Sequence, residues 1–359
     1  MNYMLVDLGF GDSGKGAVTH YLLKQGEGAA LVIRYCGGYQ AAHHVVKDGV
    51  RKRYSQIGSG TFEVDRPVTT YLGPNFICSP EHLTKELLRN GNGTTTRVVI
   101  DPCCLIATNF QREINKKRLS PDVASCAAGI AECRSYWLRY GQDAIFGQDL
   151  LDQTVLQAKL ELMRQRYILD GYKEFASLPL MRGLDLTEFS KQSFWRVYRP
   201  TAEAYADIIF EGSQGVLLDE NYGVGAPDHA TWSTTTLLHA YQIAEQLGIT
   251  SSRRIGILRA YSTRHGSGPF EEDASLTERL APLEIDNGND GPQGRFKFGR
   301  LKANLISYAL NVPCCEVDEI ALTCLDQLTT EEATASLTLV SKFRPVKIQG
   351  WGPEAKDKI

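Results

Sequence analysis

YMLVDLGFGDSGKGAVTHYLLK, residues 3–24, combines an apolar run of strand length, a glycine-rich segment and a stretch with helical character. A strand that leads through glycines into a helix presents backbone N–H groups and a helix N-terminus, which together bind phosphate. Residues 9–16, GFGDSGKG, fit the phosphate-loop pattern G-x-x-x-x-G-K-[ST] except at the last position. There Gly16 replaces the hydroxyl residue that would bind Mg²⁺. The segment predicts a phosphate-binding loop with an altered metal ligand.

Asp12 lies inside this loop and sets it apart from an ordinary phosphate loop. A carboxylate that faces phosphates is unfavourable unless a bound Mg²⁺ or a proton transfer requires it. Lys15 would add a positive charge for the phosphate oxygens. We therefore expect an enzyme that transfers a phosphoryl group and moves a proton at the same site.

Short apolar runs alternate with helix-like stretches along the chain, which predicts the α/β class. YADIIFEG and RRIGILRAYS are predicted strands, and a helical stretch, TTTLLHAYQIAEQLG, lies between them. Residues 102–200 are richer in helix signals and predict a mostly helical insertion. We expect a single domain over residues 1–359 that contains this insertion.

The composition favours a protein without nucleic-acid or membrane partners. The net charge of −3 gives no general attraction to either polyanion, and the apolar runs are shorter than the ~18 residues of a membrane span. The N-terminus lacks the basic and apolar regions of an export signal. The nine cysteines show no C-x-x-C spacing, which indicates reduced thiols and a cytoplasmic location.

Seven segments in the same order resemble the adenylosuccinate synthetase family. GFGDSGKG is similar to the family signature GDEGKG, and YCGGYQAAHH, residues 35–44, resembles GGHNAGHT. IGSG, CSP and FEGSQGVLLD resemble IPSG, LSP and FEGAQGTLLD. The closest match is GILRAYSTRHGSGPF against GILKAYSTRVGAGPF, and ALTCLDQL is similar to CLTKLDVL. The resemblance implies a phosphate-loop-related fold with a large central, mostly parallel sheet flanked by helices.

The resemblance also implies a chemistry for the loop. In the family, a purine 6-oxo group is phosphorylated by a nucleoside triphosphate, and the amino group of L-aspartate then displaces the phosphate. Asp12 corresponds to the base that removes the N1 proton, and His43 corresponds to the general acid. Mg²⁺ would be bound by Asp12 and by the backbone carbonyl of Ala42, so Gly16 needs no hydroxyl.

Other family contacts are expected at matching positions. The loop and the segment after it would bind the nucleotide phosphates through Gly11, Ser13, Gly14, Lys15, Gly16, Gln40, Ala41 and Ala42. The purine nucleotide would be contacted by Ser13, Ser125, Cys126, Gln214, Thr231, Arg264 and, across a homodimer interface, Arg139. Arg264 has a second interpretation, in which it pairs with a structural carboxylate.

Ser13 is the first departure from the family, whose loop has a glutamate at this position. A hydroxyl is shorter, uncharged and able to accept a hydrogen bond from an exocyclic amine. Guanine differs from hypoxanthine by a 2-amino group. Ser13 therefore favours a guanylate over inosinate as the substrate.

The loop that binds aspartate in the family, GRRRRTGWLD, corresponds here to QGRFKFGRLK, residues 293–302. We expect Gln293, Gly294, Arg295 and Lys297 to bind the aspartate. Phe296 and Phe298 interrupt the cationic run. One interpretation places an aromatic ring against C2′ of a deoxyribose, and the other places both rings in the core.

The segment that reads the nucleoside triphosphate base in the family, KLD, is CLD here and ends at Asp326. Loss of the lysine favours ATP as the co-substrate, with dATP and GTP as alternatives.

Ser13 and the short chain resemble a phage-encoded branch, the 2-aminoadenylosuccinate synthases called PurZ, which join L-aspartate to dGMP on the way to 2-aminoadenine DNA. An ordinary synthetase that uses IMP and GTP is the second hypothesis. A phosphate-loop GTPase switch is the third, and the glycine at position 16 disfavours it.

Overall fold

The computed structural model describes residues 1–91, 97–118, 125–180, 195–284 and 294–359, in which strands and helices alternate. The strands are Asn2–Asp7 (β1), Ala30–Arg34 (β2), Gly37–Gly38 (β3), His43–Lys47 (β4), Val50–Tyr54 (β5), Val68–Leu72 (β6), Phe76–Cys78 (β7), Arg97–Ile100 (β8), Leu105–Ile106 (β9), Trp195–Val197 (β10), Asp207–Gly215 (β11), Arg253–Arg259 (β12), Ser262–His265 (β13), Phe296–Gly299 (β14), Glu319–Thr323 (β15) and Val346–Gln349 (β16). The α-helices are Lys15–Gln25 (α1), Pro80–Asn90 (α2), Asn109–Arg118 (α3), Ile130–Tyr140 (α4), Gln153–Leu169 (α5), Leu238–Gln246 (α6), Ala274–Leu280 (α7), Ala303–Asn311 (α8) and Thr330–Ser341 (α9).

One large sheet forms the centre of the protein. Its nine strands lie in the order β10-β8-β6-β2-β11-β1-β12-β15-β16, and every pair of neighbours is parallel. Parallel strands need helical crossovers that cover both faces of the sheet, which explains why these strands read as continuous apolar runs. The predicted α/β class with a large, mostly parallel sheet is confirmed.

Alternate residues of the central strand β1 face opposite sides of the sheet. Met4 and Val6 pack in a cluster that includes side chains of α6, α7, α8 and α9. Leu5 points to the other face, where it joins the cluster that contains Val18 and Leu22 of α1. The two faces of the strand are therefore both buried, as a period of two residues requires.

Residues 102–200 contribute α3, α4, α5 and the short strands β9 and β10 to the described structure. Phe110, Tyr136, Tyr167 and Phe175 form an aromatic group within the core cluster of this region. Whether the region forms an insertion in a single domain stays a prediction.

Two further expectations concern reduced cysteines and membrane-spanning helices. All nine cysteines are free thiols, and Cys36, Cys78, Cys104, Cys133 and Cys315 are buried. Within the described ranges, no helix is long and apolar enough to cross a membrane.

The carboxyl ends of β11, β1, β12 and β15 lie side by side at one edge of the sheet. The loop of residues 8–14 follows β1, and β1 pairs with β11 on one side and β12 on the other. In parallel sheets, ligands bind outside the carboxyl ends where connections leave in opposite directions. The fold thus places the loop at the position where a binding crevice is expected.

Candidate active site

The loop between β1 and α1 turns sharply through residues with positive φ. The φ angles are 88° at Gly11, 54° at Asp12 and 86° at Gly14. Glycine adopts this conformation without strain, whereas aspartate is one of the few other residues that tolerates it. The hydroxyl of Thr323, at the end of β15, donates a hydrogen bond of 2.8 Å to the Ser13 carbonyl and anchors the loop to the sheet.

Asp7, the last residue of β1, binds the loop from beneath. Its Oδ1 accepts hydrogen bonds from the Gly9 amide at 2.8 Å and from the Ser13 hydroxyl at 2.9 Å. Its Oδ2 lies 2.6 Å from Nζ of Lys15, and both side chains are buried. Lys15 is therefore paired inside the loop, and its predicted contact with phosphate stays a prediction.

Asp12 presents its carboxylate on the outer side of the loop. Its side chain is 38% exposed, and Oδ2 lies 3.4 Å from Nε2 of His265 at the end of β13. Desolvation raises the pKa of this carboxyl, but the hydrogen bond to His265 and the charges of His265, Lys15 and Arg259 lower it below its usual value. Asp12 is therefore an ionised, accessible carboxylate at neutral pH, as a base or metal ligand must be.

His43 forms a buried pair with Glu211 of β11. The distance between His43 Nδ1 and Glu211 Oε1 is 2.6 Å, and the same carboxylate accepts hydrogen bonds from the Ser59 hydroxyl and, at 3.0 Å, from the Ser59 amide. Burial raises the pKa of Glu211, but the charges of Arg34 and His43 and these hydrogen bonds lower it to about 2. An ionised glutamate therefore fixes the orientation of the imidazole ring.

The second ring nitrogen of His43 has the properties of a reactive group. Nε2 is buried and has no hydrogen-bond partner among the described residues. Burial lowers the pKa of His43, although Glu211 opposes this effect. A buried nitrogen without a partner is unfavourable unless a ligand supplies one, so Nε2 is a candidate ligand-binding atom.

Gly16, the position of the missing hydroxyl, lies against the His43 segment. A Cβ atom at Gly16 would lie 2.9 Å from the Cβ of His43 and 3.1 Å from both the His44 carbonyl and the Ser59 hydroxyl. Only a glycine lets the start of α1 approach His43 this closely. The exchange of a hydroxyl residue for glycine thus allows the loop and His43 to share one site.

We expect the substitution Gly16→Ser, which restores the phosphate-loop pattern, to lower kcat at least tenfold and to destabilise the protein by about 1 to 3 kcal/mol. The added side chain must displace His43 or Ser59. The measurement is steady-state kinetics together with chemical denaturation, and Ala17→Ser, one residue along α1, is the matched control. Wild-type kcat in Gly16→Ser would contradict this explanation.

Two glutamine side chains flank the glycine pair of β3. The Oε1 atoms of Gln40 and Gln214 are buried and have no partner among the described residues. A Cβ at Gly37 would lie 2.9 Å from Oε1 of Gln214, and a Cβ at Gly38 would lie 2.9 Å from Oε1 of Gln40. Together with His43 Nε2, these oxygens form a set of unsatisfied polar atoms around the segment that follows β2. Ala41 is buried and Ala42 is half-buried in the same segment.

Of four further residues predicted to contact the nucleotide, three form contacts with other parts of the protein. The Ser125 hydroxyl donates to Asn115 Oδ1 at 3.0 Å, and Cys126, which follows it, is half-buried. The Thr231 amide donates to the Leu218 carbonyl at 2.7 Å. Arg139 is exposed on α4 and pairs with Asp170 at 3.0 Å. Their contacts with substrate stay predictions.

Arg264 on β13 is buried and surrounded by backbone carbonyls. Its guanidinium donates to the carbonyls of Val224, His229, Ser267 and Pro269 and lies over the Phe10 ring. Arg264 therefore holds the neighbouring loops together. Its partners are backbone carbonyl oxygens and not the structural carboxylate that was the alternative to a nucleotide contact. Its contact with the nucleotide stays a prediction.

β14 carries the residues expected to bind aspartate. Lys297 is half-buried, and burial, followed by the charges of Arg264 and Arg295, lowers its pKa. Arg295 forms a bidentate pair with Glu272, with both contacts at 2.6 Å. Gly294 has a φ of 77°, and Gln293 lies outside the described residues.

The interpretation that places an aromatic ring of β14 against a deoxyribose is wrong. Phe296 and Phe298 are 3% and 1% exposed and pack in the core, where their ring centroids lie 5.2 Å apart. Side chains alternate along the strand, so Lys297 faces the opposite side from the two phenylalanines. The rings therefore give no evidence about the sugar.

Asp326 lies in the short helix Leu325–Gln327 that follows β15 and is exposed. Desolvation of the carboxyl raises its pKa, although the nearby charge of Lys358 opposes this effect. Its predicted contact with a nucleotide base stays a prediction.

The exposed Asp12 carboxylate fits a Mg²⁺ ion that would take most of its other ligands from phosphate oxygens and water. Mg²⁺ typically takes one or two carboxylates and completes its coordination with phosphate oxygens and water. Asp12 offers one accessible carboxylate, and no cluster of three or more His, Cys, Asp or Glu side chains occurs in the described part of the chain. Asp12 and the Ala42 carbonyl are the candidate ligands.

Sequence reasoning missed Asp7, Ser59 and Glu211 as parts of this site. Both carboxylates occur within or at the end of an apolar strand, in YMLVD and YADIIFEG. Buried aspartate and glutamate are rare unless they are paired, so each was a signal of a specific partner. The identity of that partner depends on the fold.

Comparisons with known proteins agree with this geometry. The sequence profile of adenylosuccinate synthetase matches residues 4–338. The adenylosuccinate synthetase of Thermoplasma volcanium is 28% identical over 341 residues, which cover 90% of this chain and 75% of that protein. The enzyme of Francisella tularensis subsp. novicida is 28% identical over 349 residues, or 91% of this chain and 78% of the relative.

Two solved structures have the same fold. Fully ligated adenylosuccinate synthetase from Plasmodium falciparum superimposes with a TM-score of 0.78 at 16% identity, over 99% of each chain. The succinoaminodeoxyadenylate synthetase (PurZ) of cyanophage S-2L, bound to dGMP and dATP, gives a TM-score of 0.74 at 17% identity, over 100% of this chain and 94% of that one. With the sequence profile, the loop geometry and the His43 site in agreement, the chain belongs to the adenylosuccinate synthetase family of C–N bond-forming ligases.

Proposed function

We propose that this ligase joins the amino group of L-aspartate to C6 of dGMP, with ATP as the phosphoryl donor and ADP and phosphate as further products. The product is N6-succino-2-amino-2′-deoxyadenylate, which serves the synthesis of 2-aminoadenine in phage DNA inside the host cytoplasm. The observation that carries the proposal is Ser13, an uncharged acceptor in a loop where the family signature has a glutamate. The cyanophage protein of the same fold is described as binding dGMP and dATP, which supports a guanylate and an adenine nucleotide.

In the first step, Asp12 removes the proton from N1 of the purine. The 6-oxo oxygen then attacks the γ-phosphate of ATP, the bond between that phosphorus and the bridging oxygen breaks, and ADP leaves. The exposed Asp12 carboxylate and its lowered pKa support this role, because the base must be ionised before it accepts the proton. His265 supports the ionised form through its contact with Asp12.

His43 binds the oxygen atoms on which charge develops. The pair with Glu211 holds Nδ1, so Nε2 is the atom that faces the substrate. Binding of an anionic phosphate beside Nε2 would favour protonation of the ring. The proton on Nε2 would then be donated to the oxygen that bridges C6 and the phosphate as that phosphate leaves, while Glu211 stabilises the imidazolium ion. Gln214 supplies a carboxamide next to the same segment.

Asp12 and the Ala42 carbonyl would hold Mg²⁺, which neutralises charge on the transferring phosphoryl group when it is bound. The backbone N–H groups of the loop and the N-terminus of α1 bind the phosphate oxygens. Lys15 contributes its charge from beneath the loop, where Asp7 holds it.

In the second step, the amino group of L-aspartate attacks C6, and the C6–O bond breaks as phosphate leaves. Lys297 and Arg295 would bind the aspartate carboxylates. Lys297 is suited to this because its lowered pKa reflects burial beside the positive charges of Arg264 and Arg295, which a dicarboxylate would neutralise. Arg295 would exchange its pair with Glu272 for a substrate carboxylate. We also propose a homodimer in which Arg139 reaches the nucleotide phosphate of the partner subunit.

The test is a panel of reactions that contain enzyme, Mg²⁺ and L-aspartate, with each of IMP, dIMP, GMP and dGMP crossed with ATP, dATP and GTP. Mass spectrometry identifies the products. We expect the highest kcat/KM for dGMP with ATP. Turnover of IMP alone would overturn the choice of purine, and product formation without aspartate would overturn the ligase chemistry.

The second candidate is an ordinary adenylosuccinate synthetase that acts on IMP with GTP. It is favoured by three relatives that are 27–28% identical, each of which is an adenylosuccinate synthetase. The panel separates the two candidates, because IMP and dGMP give products of different mass.

A further inference from the structure

We propose that Asp7 is a specificity-determining positioning residue, which fixes the Ser13 hydroxyl as a hydrogen-bond acceptor and thereby favours purines that carry a 2-amino group. This inference rests on the proposed function. It adds the residue that makes Ser13 the acceptor in a hydrogen bond with the 2-amino group. Asp7 is 1% exposed and lies at the end of β1, directly below the loop.

The hydrogen-bonding role of Asp7 follows from its partners. Oδ2 is 2.6 Å from the Lys15 ammonium, and Oδ1 receives the Gly9 amide and the Ser13 hydroxyl. Every partner is a donor, so the carboxyl group acts only as an acceptor.

The Ser13 hydroxyl therefore donates its proton to another atom of the protein. Its two neighbours are Asp7 Oδ1 at 2.9 Å and the Gly11 carbonyl at 3.2 Å, and both are acceptors. A hydroxyl has one proton and two lone pairs, so a ligand that reaches Ser13 meets lone pairs. The serine can accept a hydrogen bond from an amine, but it has no second proton to donate.

Ser13 borders a cavity together with Gly9, Gly11, Arg259, Ser262 and Thr263. An exocyclic amine that enters this cavity finds an acceptor in Ser13, whereas the C2–H group of hypoxanthine leaves the acceptor unsatisfied. Sites that hydrogen-bond one substrate group discriminate against analogues that lack it.

Asp7 also supplies the carboxylate that pairs with Lys15 in a loop that has a serine at position 13. The family signature GDEGKG has a glutamate there, and this chain has Ser13. The carboxylate that pairs with Lys15 comes from β1. A buried ammonium without such a partner is strongly unfavourable, so the carboxylate at residue 7 is compatible with the serine at residue 13.

The experiment compares kcat/KM for dGMP and dIMP, which differ only in the 2-amino group, in wild type, Asp7→Asn, Ser13→Ala and the double variant. The amide introduced by Asp7→Asn can donate to Ser13 and release its proton, so we expect the dGMP-to-dIMP ratio to fall about tenfold in each single variant, with no further fall in the double variant. Asp318→Asn, at the opposite end of the sheet, is the matched control and should keep the wild-type ratio.

A merely structural role predicts that Asp7→Asn lowers both kcat/KM values equally and leaves their ratio unchanged, which would overturn the proposal. Multiplicative losses in the double variant would also overturn it. If Asp7→Asn does not fold, Asp7→Asn combined with Lys15→Met removes the unpaired ammonium, and the same fall in the ratio relative to wild type is expected, because effects on ATP cancel in the ratio. A wild-type preference for dIMP would refute the proposed substrate itself, whereas a wild-type preference for dGMP with an unchanged variant ratio refutes only the role of Asp7.

Discussion

Asp12→Asn is expected to lower kcat with dGMP about 10²- to 10⁴-fold, the range typical of the loss of a general base. Asparagine is nearly the same size but does not accept the N1 proton. The exposed carboxylate and its low pKa are the properties that this substitution removes. Because Asp12 lies on the outer side of the loop, we expect the stability of the fold to change little.

The measurement separates loss of the base from loss of a metal ligand. Steady-state kinetics over a titration of Mg²⁺ gives kcat at saturating metal, and calorimetry gives the affinity for dGMP. We expect the large loss of kcat to persist at saturating Mg²⁺ while dGMP still binds. Full recovery of kcat with excess Mg²⁺ would show that Asp12 is only a metal ligand. Asp318→Asn is the control for the loss of one negative charge.

Glu211→Gln is expected to lower kcat about 10²- to 10⁴-fold through His43, since an amide does not stabilise an imidazolium as a carboxylate does. The 2.6 Å contact with Nδ1 sets the orientation of the ring and leaves Nε2 for the substrate. A residue that acts only through His43 should add no further loss once that histidine has been removed.

The measurement is a double-mutant cycle of kcat with Glu211→Gln, His43→Ala and the combined variant. We expect the combined variant to be no slower than His43→Ala alone. If the losses of kcat from the two single variants multiplied in the combined variant, Glu211 would not act only through His43. Glu319→Gln is the matched control, because Glu319 is also buried and paired with an arginine, at the start of β15 and away from the crevice.

The sequence was sufficient to predict the fold class and the position of the loop. A buried parallel strand reads as a continuous apolar run, and YMLVD and YADIIF both form such strands at the centre of the sheet. The start of α1 at Lys15 follows from the glycines before it and the helical stretch after it. These signals are local in the chain, so they can be read without the structure.

The pairs within the site could not be predicted from the sequence. His43 and Glu211 are separated by 168 residues, and only the sheet order brings them together. The burial of Phe296 and Phe298 could not be predicted from the sequence either. Which face of β14 is buried depends on its pairing with β13. A short strand with alternating cations and aromatic residues has two possible orientations, and tertiary packing selects one.

The most direct test of the central claim is a competition assay with equal concentrations of dGMP and IMP, together with ATP, Mg²⁺ and L-aspartate. Mass spectrometry of the early products measures the ratio of the two kcat/KM values in one reaction. We predict that N6-succino-2-amino-2′-deoxyadenylate is the main product and that it requires aspartate. Adenylosuccinate as the main product would contradict the assignment of dGMP as the substrate.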